Sequence, residues 1–121
     1  VLAGEDLAIR RGISLDGGMV NIRGEGWKEF KVGVIFDVEQ RLERDDRTGE
    51  LVERAHGVNM AYTAVLGAVE QFAPALWAVA VTHHVPHAAD SSVSADGAEW
   101  IWNLVADYFP DSIQIIDWYH A

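Results

Sequence analysis

The chain has no cysteine, which excludes a disulfide framework and any thiolate site. It has three prolines, and no apolar stretch approaches the ~20 residues of a membrane span before His, Glu, Asp or Pro interrupts it. After Arg54 there is neither Lys nor Arg: nine bases and 12 of the 19 acids lie in residues 1–54, and the remaining seven acids stand unopposed in residues 55–121. The net charge of −10 disfavours a polyanionic partner, because nucleic-acid affinity comes chiefly from cations that displace condensed counterions. Sequence motifs for a phosphate-binding loop (GxxxxGK[ST]), a serine nucleophile elbow (GxSxG) and a zinc protease (HExxH) are all missing.

What is present suits one domain. At 121 residues, half of them apolar and 10% aromatic, the chain can bury a single core. Residues 1–12 lack the charged-then-apolar layout of a secretory leader, so a cytoplasmic domain away from membranes is expected. The chain opens on Val1 rather than Met, and a fragment or a processed piece of a longer protein is expected.

Residues 12–16 alternate as a short strand, Gly17-Gly18 suggests a tight turn, and residues 19–23 suggest a returning strand. Residues 29–40 are rich in Val, Ile and Phe and predict a long strand. Asp45-Asp46-Arg47-Thr48-Gly49 is turn chemistry, and residues 50–66 alternate back as its partner. After Gly67 the period changes. Val69, Phe72, Leu76 and Val79/Ala80 predict a helix over 68–84, with Pro74 kinking it or marking its first turn. Residues 91–95 predict a strand, and Ala98, Ile101, Val105 and Tyr108/Phe109 mark a second helix ended by Pro110. A last strand is expected at 113–117. Hairpin strands followed by strands with helical crossovers describe a mixed sheet with helices packed on it.

Three aspartates, Asp16, Asp96 and Asp117, each end an expected strand, and sites in open α/β sheets gather at the carboxyl ends of strands. Carboxylates brought together there repel one another unless a divalent cation neutralises them, and an oxygen-only donor set favours Mg²⁺ or Mn²⁺. Two such ions about 4 Å apart serve phosphoryl transfer. Each residue also has a structural reading. Asp16 suits a turn, Asp96 suits a capping box with Glu99, and Asp117 suits a helix cap.

Four segments occur in order: Ile13-Ser14-Leu15-Asp16-Gly17-Gly18-Met19-Val20, Gly26-Trp27-Lys28-Glu29-Phe30-Lys31-Val32-Gly33-Val34, Asp96-Gly97-Ala98-Glu99-Trp100-Ile101-Trp102-Asn103-Leu104 and Ile116-Asp117-Trp118-Tyr119-His120-Ala121. Together they resemble the catalytic core of insertion-sequence DDE transposases of the Kra-type group. The resemblance implies an α/β, RNase H-like mixed sheet, with three antiparallel strands followed by parallel strands, and incomplete in this chain. It implies divalent-metal-dependent DNA cleavage and strand transfer, with Asp16 and Asp96 as the catalytic Mg²⁺ or Mn²⁺ ligands. Asp117 and His120 resemble an auxiliary Asp-x-x-His element. The family's third carboxylate, a Glu on a later helix, has no counterpart through Ala121. The expected partner is therefore DNA at transposon ends for the parent protein, bound weakly or not at all by this acidic chain, which is expected to be inactive alone. The alternative is a non-catalytic remnant acting through protein association, including with its own copies at exposed edges.

Other groupings have two readings. His83, His84 and His87 place imidazoles one helical turn apart, but Pro86 interrupts the helix, and imidazolium at a helix C-terminus complements the dipole. His56 is expected on a sheet surface. Trp77, Trp100 and Trp102 can stack bases or fill the core. Arg23, Lys28 and Lys31 can meet phosphate, or pair with the interleaved Glu25 and Glu29.

Overall fold

The computed structural model describes residues 10–88 and 90–117. Five strands form one sheet: β1 (Arg10–Ile22), β2 (Gly26–Arg44), β3 (Leu51–Leu66), β4 (Ser91–Ala95) and β5 (Ile113–Ile116). Helix α1 (Val69–Thr82) and a 3₁₀ turn (Val85–His87) link β3 to β4, and helix α2 (Glu99–Tyr108) links β4 to β5. The spatial order is β3-β2-β1-β4-β5. β1, β2 and β3 pair antiparallel, β4 runs parallel to β1, and β5 runs parallel to β4.

Alternation separates the two sheet faces. Along β2, Lys31, Gly33 and Ile35 are buried while Val32, Val34 and Phe36 are half-buried. A Cβ at Gly33 would meet Leu76 and Phe72 of α1, and one at Gly17, level with Lys31, would meet Trp100 of α2. Both helices therefore cover the same face. The core lies between them and the sheet: Ile13, Leu15, Ile35 and Val93 from strands, Phe72, Leu76 and Ala80 from α1, and Ile101, Leu104 and Val105 from α2. The α1 residues recur every fourth position, which is why its periodicity was legible. Burying each large aliphatic or aromatic side chain of this layer contributes about 1.5–3 kcal/mol.

Gly17-Gly18 makes no turn. Both lie inside β1, opposite Lys31 and Phe30, and the chain reverses at residues 23–25, where Gly24 has φ 84° and Glu25 N–H donates to the Ile22 carbonyl. These two glycines serve close approach instead: Cβ atoms there would lie 3.0 Å from the Trp100 ring and 2.9 Å from the Phe30 ring.

The sheet also carries a bulge. Ile35 faces Ala61 but Asp37 faces Val58, so Asn59 and Met60 oppose Phe36 alone. Asn59 takes φ 54° and its Nδ2 donates to Asp37 Oδ2 at 2.8 Å. Asp37 also lies 3.1 Å from Nε of buried Arg11, which donates to the His83 carbonyl at 2.9 Å. One polar chain thus ties β3, β2 and β1 to the end of α1.

The expectation of an α/β, RNase H-like domain is corrected. Of the described residues, 54% are strand and 25% helix, in one mixed sheet and two α-helices. β1 continues through the double glycine, and the β2–β3 hairpin runs on to Arg44 and Leu51, past the part of the sheet the helices cover. Sheet thereby outweighs helix, and one face carries no helix among the described residues. The architecture is a mixed five-stranded sheet, and an RNase H-like assignment is not supported.

Candidate functional site

β1 and β4 pair from Arg11–Ser91 to Ser14–Ser94, and β4 and β5 pair from Ser92–Ile113 to Ala95–Ile116. Continuing both registers brings Asp16, Asp96 and Asp117 to one level across three adjacent strands. The Asp117 N–H donates to the Ala95 carbonyl at 2.8 Å, extending the β4–β5 ladder by one step. The three aspartates line a single cleft of about 230 Å³ together with Ser14, Leu15, Ser94 and Ala95.

Local bonds orient two of them. Asp16 Oδ1 accepts the Gly17 N–H at 2.8 Å, and Asp96 Oδ1 accepts the Ala98 N–H at 2.9 Å. The Asp96 carbonyl also accepts the Trp102 indole N–H at 2.8 Å, which holds the β4–α2 connection against the helix. The capping box with Glu99 does not form: the helix N-cap is Ala98, without a side-chain cap. Asp96 sits two residues earlier, on the strand side of the connection. Asp16 lies within β1 rather than at its end, but just beyond the part of β1 that pairs with β4.

Carboxylates and hydroxyls are the donors a hard divalent cation takes, so the donor set fits Mg²⁺ or Mn²⁺. Among the described residues, however, no three His, Asp or Glu side chains converge on one point that would hold a metal ion. Neighbouring strands lie about 4.8 Å apart, so the outer two aspartates, on strands flanking β4, cannot crowd around one ion as tightly as each does with Asp96. The arrangement offers two neighbouring pairs sharing Asp96, with water completing any coordination shell.

Ser14 and Ser94, directly opposite each other in the ladder, were not singled out from sequence. The signal was there: Ser14-Leu15-Asp16 and Ser94-Ala95-Asp96 repeat a Ser-x-Asp pattern, and period 2 puts each Ser on the face of its Asp.

His120 lies outside the described residues. His83 is the C-cap of α1 and His84 takes φ 59° before the 3₁₀ turn that contains Pro86, so the helical spacing of the histidines is broken. His56 faces Glu43 on the sheet surface. Lys31 is 7% exposed, 3.1 Å from Glu29 and 4.8 Å above the Trp100 ring, and is not a surface phosphate contact. Arg23 and Lys28 are exposed near the β1–β2 reversal. Trp100 packs edge-on to Phe72, and Trp77 packs against Tyr108 and Phe109.

No helix among the described residues is long and apolar enough to cross a membrane. Comparison with protein-family models, with characterised proteins and with solved structures finds no match.

Proposed function

We propose that the aspartate cleft is a divalent-cation-dependent site for DNA phosphodiester cleavage and strand transfer, in a chain akin to the catalytic part of an insertion-sequence DDE transposase. The observation that supports this most is the common level of Asp16, Asp96 and Asp117 on β1, β4 and β5, from positions far apart in the chain. Asp16 and Asp96 would hold Mg²⁺ or Mn²⁺, and Asp117 stands beside them. Such ions, when bound, neutralise charge on a scissile phosphate and activate a water or hydroxyl. The protein's own part is positional. The Gly17 and Ala98 N–H groups each fix one carboxylate oxygen, and Trp102 anchors the Asp96 backbone. With Asp16 and Asp96 as the only ligands carried over from the resemblance, and a net charge of −10, activity of this chain alone is expected to be at most trace Mn²⁺-dependent nicking.

Amide NMR with added Mn²⁺ tests the reading. Paramagnetic broadening should centre on Gly17, Ala95 and Ala98 and should vanish in Asp16→Asn and Asp96→Asn. Broadening that ignores both substitutions places the ion elsewhere and removes the basis of the proposal.

A second reading, a non-catalytic interaction domain, is favoured by the helix-free face, where Val20, Tyr62, Leu66, Ile113 and Ile115 are exposed. Concentration-dependent sedimentation with no Mn²⁺ response at the cleft would select it.

A further inference from the structure

A second concavity, of about 310 Å³, lies at the opposite ends of β4 and β5, where Ser91 and Ile113 begin them. Its volume is at the lower end of the range for small-ligand sites. Three aromatic residues line it: Trp77, whose ring centre lies 5.8 Å from those of both Tyr108 and Phe109, holds a fixed wall. Two carboxylate residues, Asp90 and Asp111, line it as well.

The carboxylates and the helix end at this pocket favour a cation. Asp111 has no ion-pair partner among the described residues, and Asp90 has one, Arg10 Nε at 3.2 Å, with both side chains more than half exposed. The chain's own guanidinium already sits on one of these carboxylates, in an exposed pair of the kind that exchanges readily. Helix α2 ends here, with Tyr108 and its C-cap Phe109 among the lining residues and no basic residue in its last turn. The negative end of its dipole is therefore uncompensated by its own sequence. No Lys or Arg occurs after Arg54 to fill the site from the same half of the chain. The Ser91 and Ser112 hydroxyls bond each other at 2.6 Å and add no charge.

From these features we infer a binding site for a guanidinium group, presented by an arginine side chain of a partner protein. Guanidinium is preferred to ammonium because its plane stacks on aromatic faces while its fork meets carboxylates. The inference does not depend on the aspartate cleft, which lies at the other end of β4.

The test is amide and indole NMR of the full chain with ethylguanidinium, with N-ethylurea as the uncharged counterpart of similar shape, and with an acetylated Gly-Arg-Gly amide. Ethylguanidinium should shift the Trp77 indole and the Ser112 and Ile113 amides, and N-ethylurea should not. Asp111→Asn, at an exposed position, should weaken binding about threefold to fivefold, the size expected for one partly exposed charge pair. Trp77→Phe, which keeps an aromatic wall, should weaken it less. Tighter binding of the peptide than of ethylguanidinium supports the protein-borne arginine; the reverse order retains the guanidinium site and overturns the protein partner. Equal shifts with N-ethylurea, or an unchanged affinity in Asp111→Asn, overturn the site itself.

Discussion

The Phe36 ring lies across Gly12 so closely that a Cβ built on the glycine would be 2.3 Å from two of its carbons. Gly57 receives the edge of the same ring, 3.1 Å from where its Cβ would stand. On the face that the helices leave open, Phe36 is thus seated on two glycines of the flanking strands, beside the β2–β3 bulge. Gly12→Ala should destabilise the fold by about 1–3 kcal/mol, the usual cost of overpacking. In a Phe36→Leu background the same change should cost less, and urea unfolding of the double-mutant cycle measures the difference. Additive effects would show that the ring moves aside freely.

Asp37 serves Arg11 and Asn59 at once. Arg11 is 5% exposed and its Nη1 is buried without a hydrogen-bond partner, so it has little solvent to fall back on. Asp37→Ala should therefore cost about 2–4 kcal/mol, below the loss for a fully buried pair because Asp37 itself is partly exposed. Arg11→Met together with Asp37→Ala should recover a large part of that, since no buried charge is then stranded. Thermal unfolding of the four variants checks it.

Divalent cations should raise the melting temperature by a few degrees when present at about ten times their dissociation constant, from mass action on the folded state. Asp16→Asn and Asp96→Asn should each remove most of that increment. Trp102→Phe should reduce it while costing about 1 kcal/mol of stability, because it deletes the indole bond to the Asp96 carbonyl and leaves the carboxylate in place. An increment that survives both Asn variants would locate the ion outside the cleft.

Repulsion between a chain of charge −10 and DNA is screened by salt. Any Mn²⁺-dependent nicking should accordingly speed up between low and moderate ionic strength, opposite in sign to a protein that binds phosphates through Lys and Arg. Plasmid nicking rates at a series of NaCl concentrations decide it; a steady fall from the lowest salt upward would reveal a cationic DNA contact.

Local chemistry was sufficient for much of the chain. The four-residue recurrence of Phe72, Leu76 and Ala80 marks α1, the Asp45–Gly49 run turns β2 into β3, Ser91–Ala95 alternates serine with buried Val93 and Ala95, and Ile113–Ile116 is a short apolar-rich segment. Each of these signals is carried by residues within one or two turns of one another, so the sequence alone determines them. The charge asymmetry is likewise a property of composition.

The tertiary structure decided the rest. Gly17-Gly18 has turn composition, yet lies within a ladder because β2 pairs with it on one side and the Trp100 and Phe30 rings press on it. Asp96 and Glu99 have capping-box spacing, yet the helix begins later and Asp96 stays with the strand. The aspartates are 80 and 21 positions apart, and nothing local sets their common level. That level follows from the hydrogen-bond registers of β1 with β4 and β4 with β5, which are selected by which side chains the whole sheet buries beneath its helices.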